Sequence, residues 1–265
     1  MNLLADLPQA FGLLHIAGLI LSGLLISIVV MAIGVGGGIL WTPLLILLYG
    51  LTPAEAVATS LAIQVIGMGS GTFAFLRSGL AAPKISLAFF AAALPAVIIG
   101  SIFSVNLKEG HVQLALGIMT MALAVLFVSS RDRAIDEDSA PNLTSTETRK
   151  LLPVPAGLGF LMGMLSVGLS EWLIPLLRYR LKISMRQAIS IVVPTVFLLA
   201  LAATATHGLL SNHILWWHVL CGGAGTLIGA QLGVLLARRI QDRILKQSFI
   251  YLMTLVGIHL IFQSI

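Results

Sequence analysis

Residues 31–45 read Met-Ala-Ile-Gly-Val-Gly-Gly-Gly-Ile-Leu-Trp-Thr-Pro-Leu-Leu, and this stretch decides the fold. It lies inside a run, residues 7–54, that contains no Asp, Glu, Lys or Arg. Such a run belongs in hydrocarbon, where a helix satisfies its own backbone. Gly34-Val-Gly-Gly-Gly38 and Pro43 interrupt that helix. The freed N–H and C=O groups cost several kcal/mol each against lipid, so they must be buried in protein or line a wet cavity. A helix restarting near Ile39 would aim its N-terminal amides into that cavity. A helix N-terminus carries about half a positive charge and takes anions without a basic side chain. Close helix packing through small residues is the competing explanation for the glycines.

The rest of the chain has the same character. Of its 265 residues 58% are hydrophobic and 9% charged, and the mean hydropathy is +1.04. Soluble domains carry about 25% charged residues, so this composition excludes a soluble enzyme, a nucleic-acid binder and a disordered chain. The charge-free runs continue at 56–76, 85–107, 110–130, 151–170, 187–237 and 247–265. A membrane-spanning helix needs about 20 apolar residues. No polar–apolar alternation suggests a β-barrel. The expectation is an all-α polytopic membrane protein. The net charge of +5 does not point to nucleic acid, because the cations sit between apolar runs, where they set topology. With Asp6 and no Lys or Arg at the start, residues 11–33 read as a retained helix and not a cleaved leader. Cys221 is the only cysteine, so an intrachain disulfide is excluded.

Residues 131–150 hold nine charges and a proline and separate two halves. The expected organisation is a first transmembrane repeat at 1–130, a charged cytoplasmic linker at 131–153 and a second repeat at 154–265. Gly36-Gly-Gly-Ile-Leu-Trp-Thr-Pro43 aligns without gaps to Gly168-Leu-Ser-Glu-Trp-Leu-Ile-Pro175, an offset of 132. A near-constant offset is the mark of an internal repeat. Each half reads as a Gly/Pro-broken unit, 11–50 or 154–181, followed by three spans. The spans are 55–76, 85–105 and 111–130, then 187–207, 214–236 and 245–264. If each broken unit returns to the face it entered, loops 77–84, 131–150, 178–186 and 238–246 share one side and hold 14 of the 15 basic residues. The positive-inside rule prefers that arrangement. It places both termini outside and makes the repeats inverted, a transporter architecture with its site where broken helices meet at the midplane.

Candidate site residues follow from this frame. Gly34, Gly36, Gly37, Gly38 and Pro43 form the first break. Thr59, Ser60 and Gln64 could complete an anion's hydrogen bonds from the next span, although Ser and Thr in membrane helices also bond their own backbone. Ser170 and Pro175 belong to the second break, near Gly168–Glu171. Glu171 is the only acid within an apolar stretch. An intramembrane carboxyl suggests an ion or proton pathway by default; a partner for Arg178 or for freed backbone is the alternative. Ser190 and Thr195 flank Pro194, which would kink its span. His207, His213 and His218 read as interfacial or loop groups. No convergent ligand set suggests a metal, and neither a nucleotide motif nor a cofactor is expected. The implied partners are a small anionic solute and the lipid bilayer, with no nucleic acid; homo-oligomerisation is left open.

Gly-x-Gly-Gly-Gly-x4-Pro, followed by Gly50-x4-Glu-Ala-x-Ala-Thr-Ser60 in a duplicated apolar chain, resembles the TauE/SafE family of sulfite exporters. The resemblance implies a secondary transporter of sulfite or an organosulfonate in the bacterial inner membrane. It carries Gly36, Gly37, Gly38, Pro43, Thr59 and Ser60 over as the first-half motif. The second half departs from it, with Glu171 in the broken segment and Ile191-Val192 where a second Thr-Ser would fall. A passive anion or water channel could use the same cavity. Ser170-Glu-Trp-Leu-Ile-Pro175 is faintly similar to a motif of undecaprenyl-diphosphate phosphatases. Their other motifs are absent, and no second acid beside Glu171 helps hold a metal, so no enzymatic activity is expected.

Overall fold

The computed structural model describes residues 12–104, 145–181 and 183–241, with scattered positions between 118 and 125 and between 243 and 262. Nine α-helices form among them. The first group is α1 (Leu13–Ile33), α2 (Gly38–Tyr49), α3 (Pro53–Arg77) and α4 (Pro83–Ser104). After the short α5 (Ser145–Leu151) come α6 (Pro153–Leu165), α7 (Leu169–Leu181), α8 (Met185–Leu210) and α9 (Trp216–Arg239). The expected spans 111–130 and 245–264 and most of the charged linker lie outside the described residues.

Among the described residues five helices are long and apolar enough to cross a membrane: α1, α3, α4, α8 and most of α9. The 21 residues of α1 reach about 32 Å, matching a hydrocarbon core of about 30 Å. α2, α6 and α7 have 12, 13 and 13 residues and reach only about 20 Å. The two broken units therefore differ: a full-length helix plus a short one in the first half, two short ones in the second. Large side chains such as Leu13, Leu14, Phe73, Phe103 and Leu209 are exposed on the long helices, a surface suited to lipid and not to water.

The breaks fall at 34–37 and 166–168, the second two residues earlier than expected, so Glu171 lies in the first turn of α7. Pro43 and Pro175 do not interrupt anything. Each sits inside a continuous helix. A proline removes one backbone hydrogen bond, and in a packed membrane helix neighbouring groups absorb that loss. Pro194 likewise lies within an unbroken α8. Both breaks instead begin with a left-handed residue, which ends a helix by turning its next amide back onto the last carbonyls. Gly34 (φ 77°) bonds Val30 O, and Ser166 (φ 65°) bonds Met162 O. Both members of the second pair lie 132 residues beyond those of the first. The following long helices repeat the same correspondence. α3 starts with a capping box of Thr52 and Glu55, α8 with one of Ser184 and Gln187. The N-cap hydroxyl accepts an amide N–H three residues on, and that residue's side chain accepts the N-cap amide N–H. Thr52→Ala and Ser184→Ala should each lower stability by about 1 kcal/mol, read as thermal unfolding in detergent.

Packing is reciprocal between the halves. α1 lies along α9 as α4 lies along α6; α3 packs on α9 as α8 packs on α4; α2 lies on α3 as α7 lies on α8; and α3 meets α8 directly. Small residues set the two tightest seams. Gly225, Gly229 and Gly233, one helical turn apart, face α1. A Cβ at Gly225 would stand 2.7 Å from the Leu24 amide, and one at Gly233 2.7 Å from Met31 Cβ. Across α4 and α6, Gly159 and Gly163 do the same against Ala93 and Ser101. Such spacing lets helix backbones touch without a hydrophobic driving force.

Candidate functional site

The two breaks meet at the centre of the bundle. At the first, Gly36 and Gly37 lead into α2. A Cβ on Gly36 would lie 2.7 Å from Glu171 Oε1, and one on Gly38 would collide with the Ser166 carbonyl. Only glycine admits this approach of one broken helix to the other. Gly36 and Gly38 thus have a steric cause in the crossing itself, whereas a Cβ on Gly37 would meet Gln64 Cγ of α3 at 3.1 Å.

Glu171 closes the crossing. Its side chain is 1% exposed. Oε1 accepts from the Gly36 amide at 3.1 Å. Oε2 accepts from the Gly168 amide at 2.8 Å and from the Ser170 hydroxyl at 3.0 Å. The Gly168 bond is half of a capping box, a third-position acid reaching back to the N-cap amide. The Gly36 bond joins positions 135 apart in sequence. The carboxyl therefore satisfies freed backbone in both breaks at once, and every described partner is neutral. The Arg178 guanidinium is directed elsewhere, with Nη1 3.7 Å from Met185 Sδ.

α3 supplies the polar wall. Ser60 and Gln64, one turn apart, face the second break. Gln64 Nε2 donates to Ser166 Oγ at 2.7 Å and to Ser166 O at 3.2 Å. Ser60 and Ser166 share a hydroxyl hydrogen bond of 2.9 Å. Because the Ser166 oxygen accepts from Gln64, its own proton is available for Ser60. At Gly34 the first break meets hydrocarbon: a Cβ there would lie 2.9 Å from Ile189 Cδ1 of α8 and 2.9 Å from Ile174 Cδ1 of α7. The crossing is thus polar toward α3 at Ser166 and apolar at Gly34. A small cavity of about 10 Å³ adjoins it, large enough for one water. Gly37, Gln64, Ser27, Thr226, Trp41 and Met31 are among its lining residues.

The structure brings Gly34, Gly36, Gly37, Gly38, Ser60, Gln64, Ser170 and Glu171 together here. Other candidates have local partners. Thr59 accepts from the Leu215 amide at 3.1 Å, just before α9. Ser190 donates to Gln187 O at 2.8 Å and Thr195 to Ile191 O at 2.9 Å, both within α8. Pro43 and Pro175 are buried helix-interior residues. His207, in the last turn of α8, and His218, in the first turn of α9, are buried against protein and do not lie in the loop between them. His207 Nε2 lies 3.2 Å from Ser104 Oγ, and His218 stacks edge-on against Tyr49, 5.7 Å between centroids. Among the described residues no group of three or more His, Cys, Asp or Glu could hold a metal ion.

Sequence reasoning missed Ser166, the residue onto which Ser60 and Gln64 converge. The signal was present. Carrying the 132-residue offset two positions upstream pairs Gly34 with Ser166 and Val35 with Val167. A serine in a left-handed conformation where its counterpart is glycine marks a special position.

Comparison with known proteins agrees in class. The family profile described as Sulfite exporter TauE/SafE matches residues 19–260. The chain is similar to the probable membrane transporter protein YunE of Bacillus subtilis (strain 168), 24% identical over 267 residues, covering 93% of this chain and 97% of that protein. No solved structure matches it.

Proposed function

We propose, from the premise that the chain belongs to the sulfite exporter TauE/SafE family, that this membrane transporter moves a small oxyanion, sulfite or an organosulfonate, through the crossing of its two helix breaks. The observation that carries this reading is the donor set. Amide groups of Gly36 and Gly168 and hydroxyls of Ser60, Ser166 and Ser170 converge in a buried place, and among the described residues no basic side chain is bonded there. Neutral donors at helix N-termini bind an anion without the tight, slow-to-release pairing that a buried Arg would impose. The placement is the bacterial inner membrane with both termini outside. The clustering of basic residues in four loops supports that orientation. The reciprocal packing of the halves supports a structural repeat, and the sidedness of the basic loops supports its inversion.

Glu171 is the group we assign to proton coupling, since it is the acid at the crossing. Purified protein in liposomes should take up sulfite, and an imposed pH gradient should change the initial rate. Glu171→Gln should respond equally with and without the gradient. A variant that keeps the wild-type response removes the proton role. Liposomes that carry neither sulfite nor sulfonates remove the substrate assignment.

A further inference from the structure

We propose that the Glu171 carboxylate is a tethered anion that occupies the seat of the transported one, and that the solute enters the crossing by exchanging with it. This rests on the transport reading above and deepens it.

Three observations carry the inference. First, the protein itself demonstrates what these donors bind. Two amides from different breaks and one hydroxyl are taken up by a single carboxylate, so no donor of this set is spare for a second anion. Two negative groups at one buried seat also repel strongly. Entry of a solute must therefore release the carboxylate. Second, the repeat does not need an acid there to form its helix. The aligned position in the first half is Ile39, and α2 is helical through it without a side-chain cap. Glu171 also does more than cap its own helix, because one oxygen is committed to Gly36 across the crossing. Third, a small, mostly apolar cavity of about 10 Å³ lies beside Gly37 and Gln64, unfilled space next to the seat into which its groups can shift as the exchange begins. The Gln64 side chain forms part of that cavity's wall and also bonds the second break. The chemical class follows from the seat. The two-oxygen edge of a carboxylate matches an edge of sulfite, of a sulfonate or of a small carboxylate such as formate. Cations and neutral solutes gain nothing from it.

The test compares anion titrations of wild-type protein, Glu171→Ala and Glu171→Gln in detergent, followed by thermal unfolding. Sulfite and formate are the probes, with gluconate at equal ionic strength as control. Glu171→Ala should be stabilised by sulfite and formate at concentrations at least about 10-fold below those acting on wild type, since each charge-assisted bond released is of that order. Where the alanine variant does not fold, Glu171→Gln keeps the volume, removes the charge and should show the same gain. Equal titration midpoints in wild type and variant overturn the proposal. Sulfite flux in liposomes separates the two readings. Flux by wild type with no affinity gain in the variants sinks the tethered anion and leaves transport standing. An affinity gain without wild-type flux does the reverse.

Discussion

Gly38→Ala should abolish transport and destabilise the folded protein by about 3 kcal/mol, the upper range for inserted volume in a packed interior. The added methyl has nowhere to go. It would overlap the Ser166 carbonyl and stand 2.7 Å from the Ser166 hydroxyl. Ser166 cannot retreat, because its amide caps α6 on Met162 O while its carbonyl and hydroxyl are both held by Gln64. The two breaks would have to separate, pulling Gly36 away from Glu171 as they did so. Gly157→Ala is the matched control. A Cβ there meets nothing within 4 Å, and an alanine within α6 favours the helix by roughly 0.5–1 kcal/mol. Thermal unfolding of both variants in detergent checks the pair. Similar melting temperatures for Gly38→Ala and wild type would show that the breaks do not touch as described.

Gln64→Leu should lower stability by about 2–3 kcal/mol and slow transport by at least about 10-fold, even where the protein still inserts. Its amide is the donor to both oxygens of Ser166. Leucine has similar bulk but leaves those oxygens short of a donor in a dry interior, and an unsatisfied buried group costs about 1–3 kcal/mol. The neighbouring Thr59→Ala is the contrast. That hydroxyl serves the Leu215 amide at the approach to α9, so its loss should cost about 1 kcal/mol and leave flux near the wild-type rate. If flux by Thr59→Ala collapses while that by Gln64→Leu does not, the polar wall of the crossing lies on the other face of α3.

The comparison between Thr59 and Gln64 shows where local reading stops. Both stood out as polar groups in one apolar span. Helical geometry puts Ser60 and Gln64 on one face and Thr59 on the next, but a helix apolar on all sides carries no stripe to say which face meets protein. The prolines give the same lesson in reverse. Pro43 and Pro175 have the strongest breaking tendency in their segments, yet the breaks occur at Gly34 and Ser166, where the helix end is locked by a left-handed residue. Glu171 was conspicuous by its charge. Its bond to Gly36 depends on a contact across 135 positions, which no spacing rule reaches.

What the amino-acid order settled alone was the solvent and the grammar: charge-free runs of membrane length, glycine interruptions within them, and a 132-residue repetition. These are consequences of composition and local backbone preference, which act over a few turns. What only the tertiary structure decided was which groups relieve the interrupted backbone. That outcome depends on two chain-distant breaks approaching closely enough to share one buried carboxylate, and such proximity is set by small-residue seams between helices, not by any segment on its own.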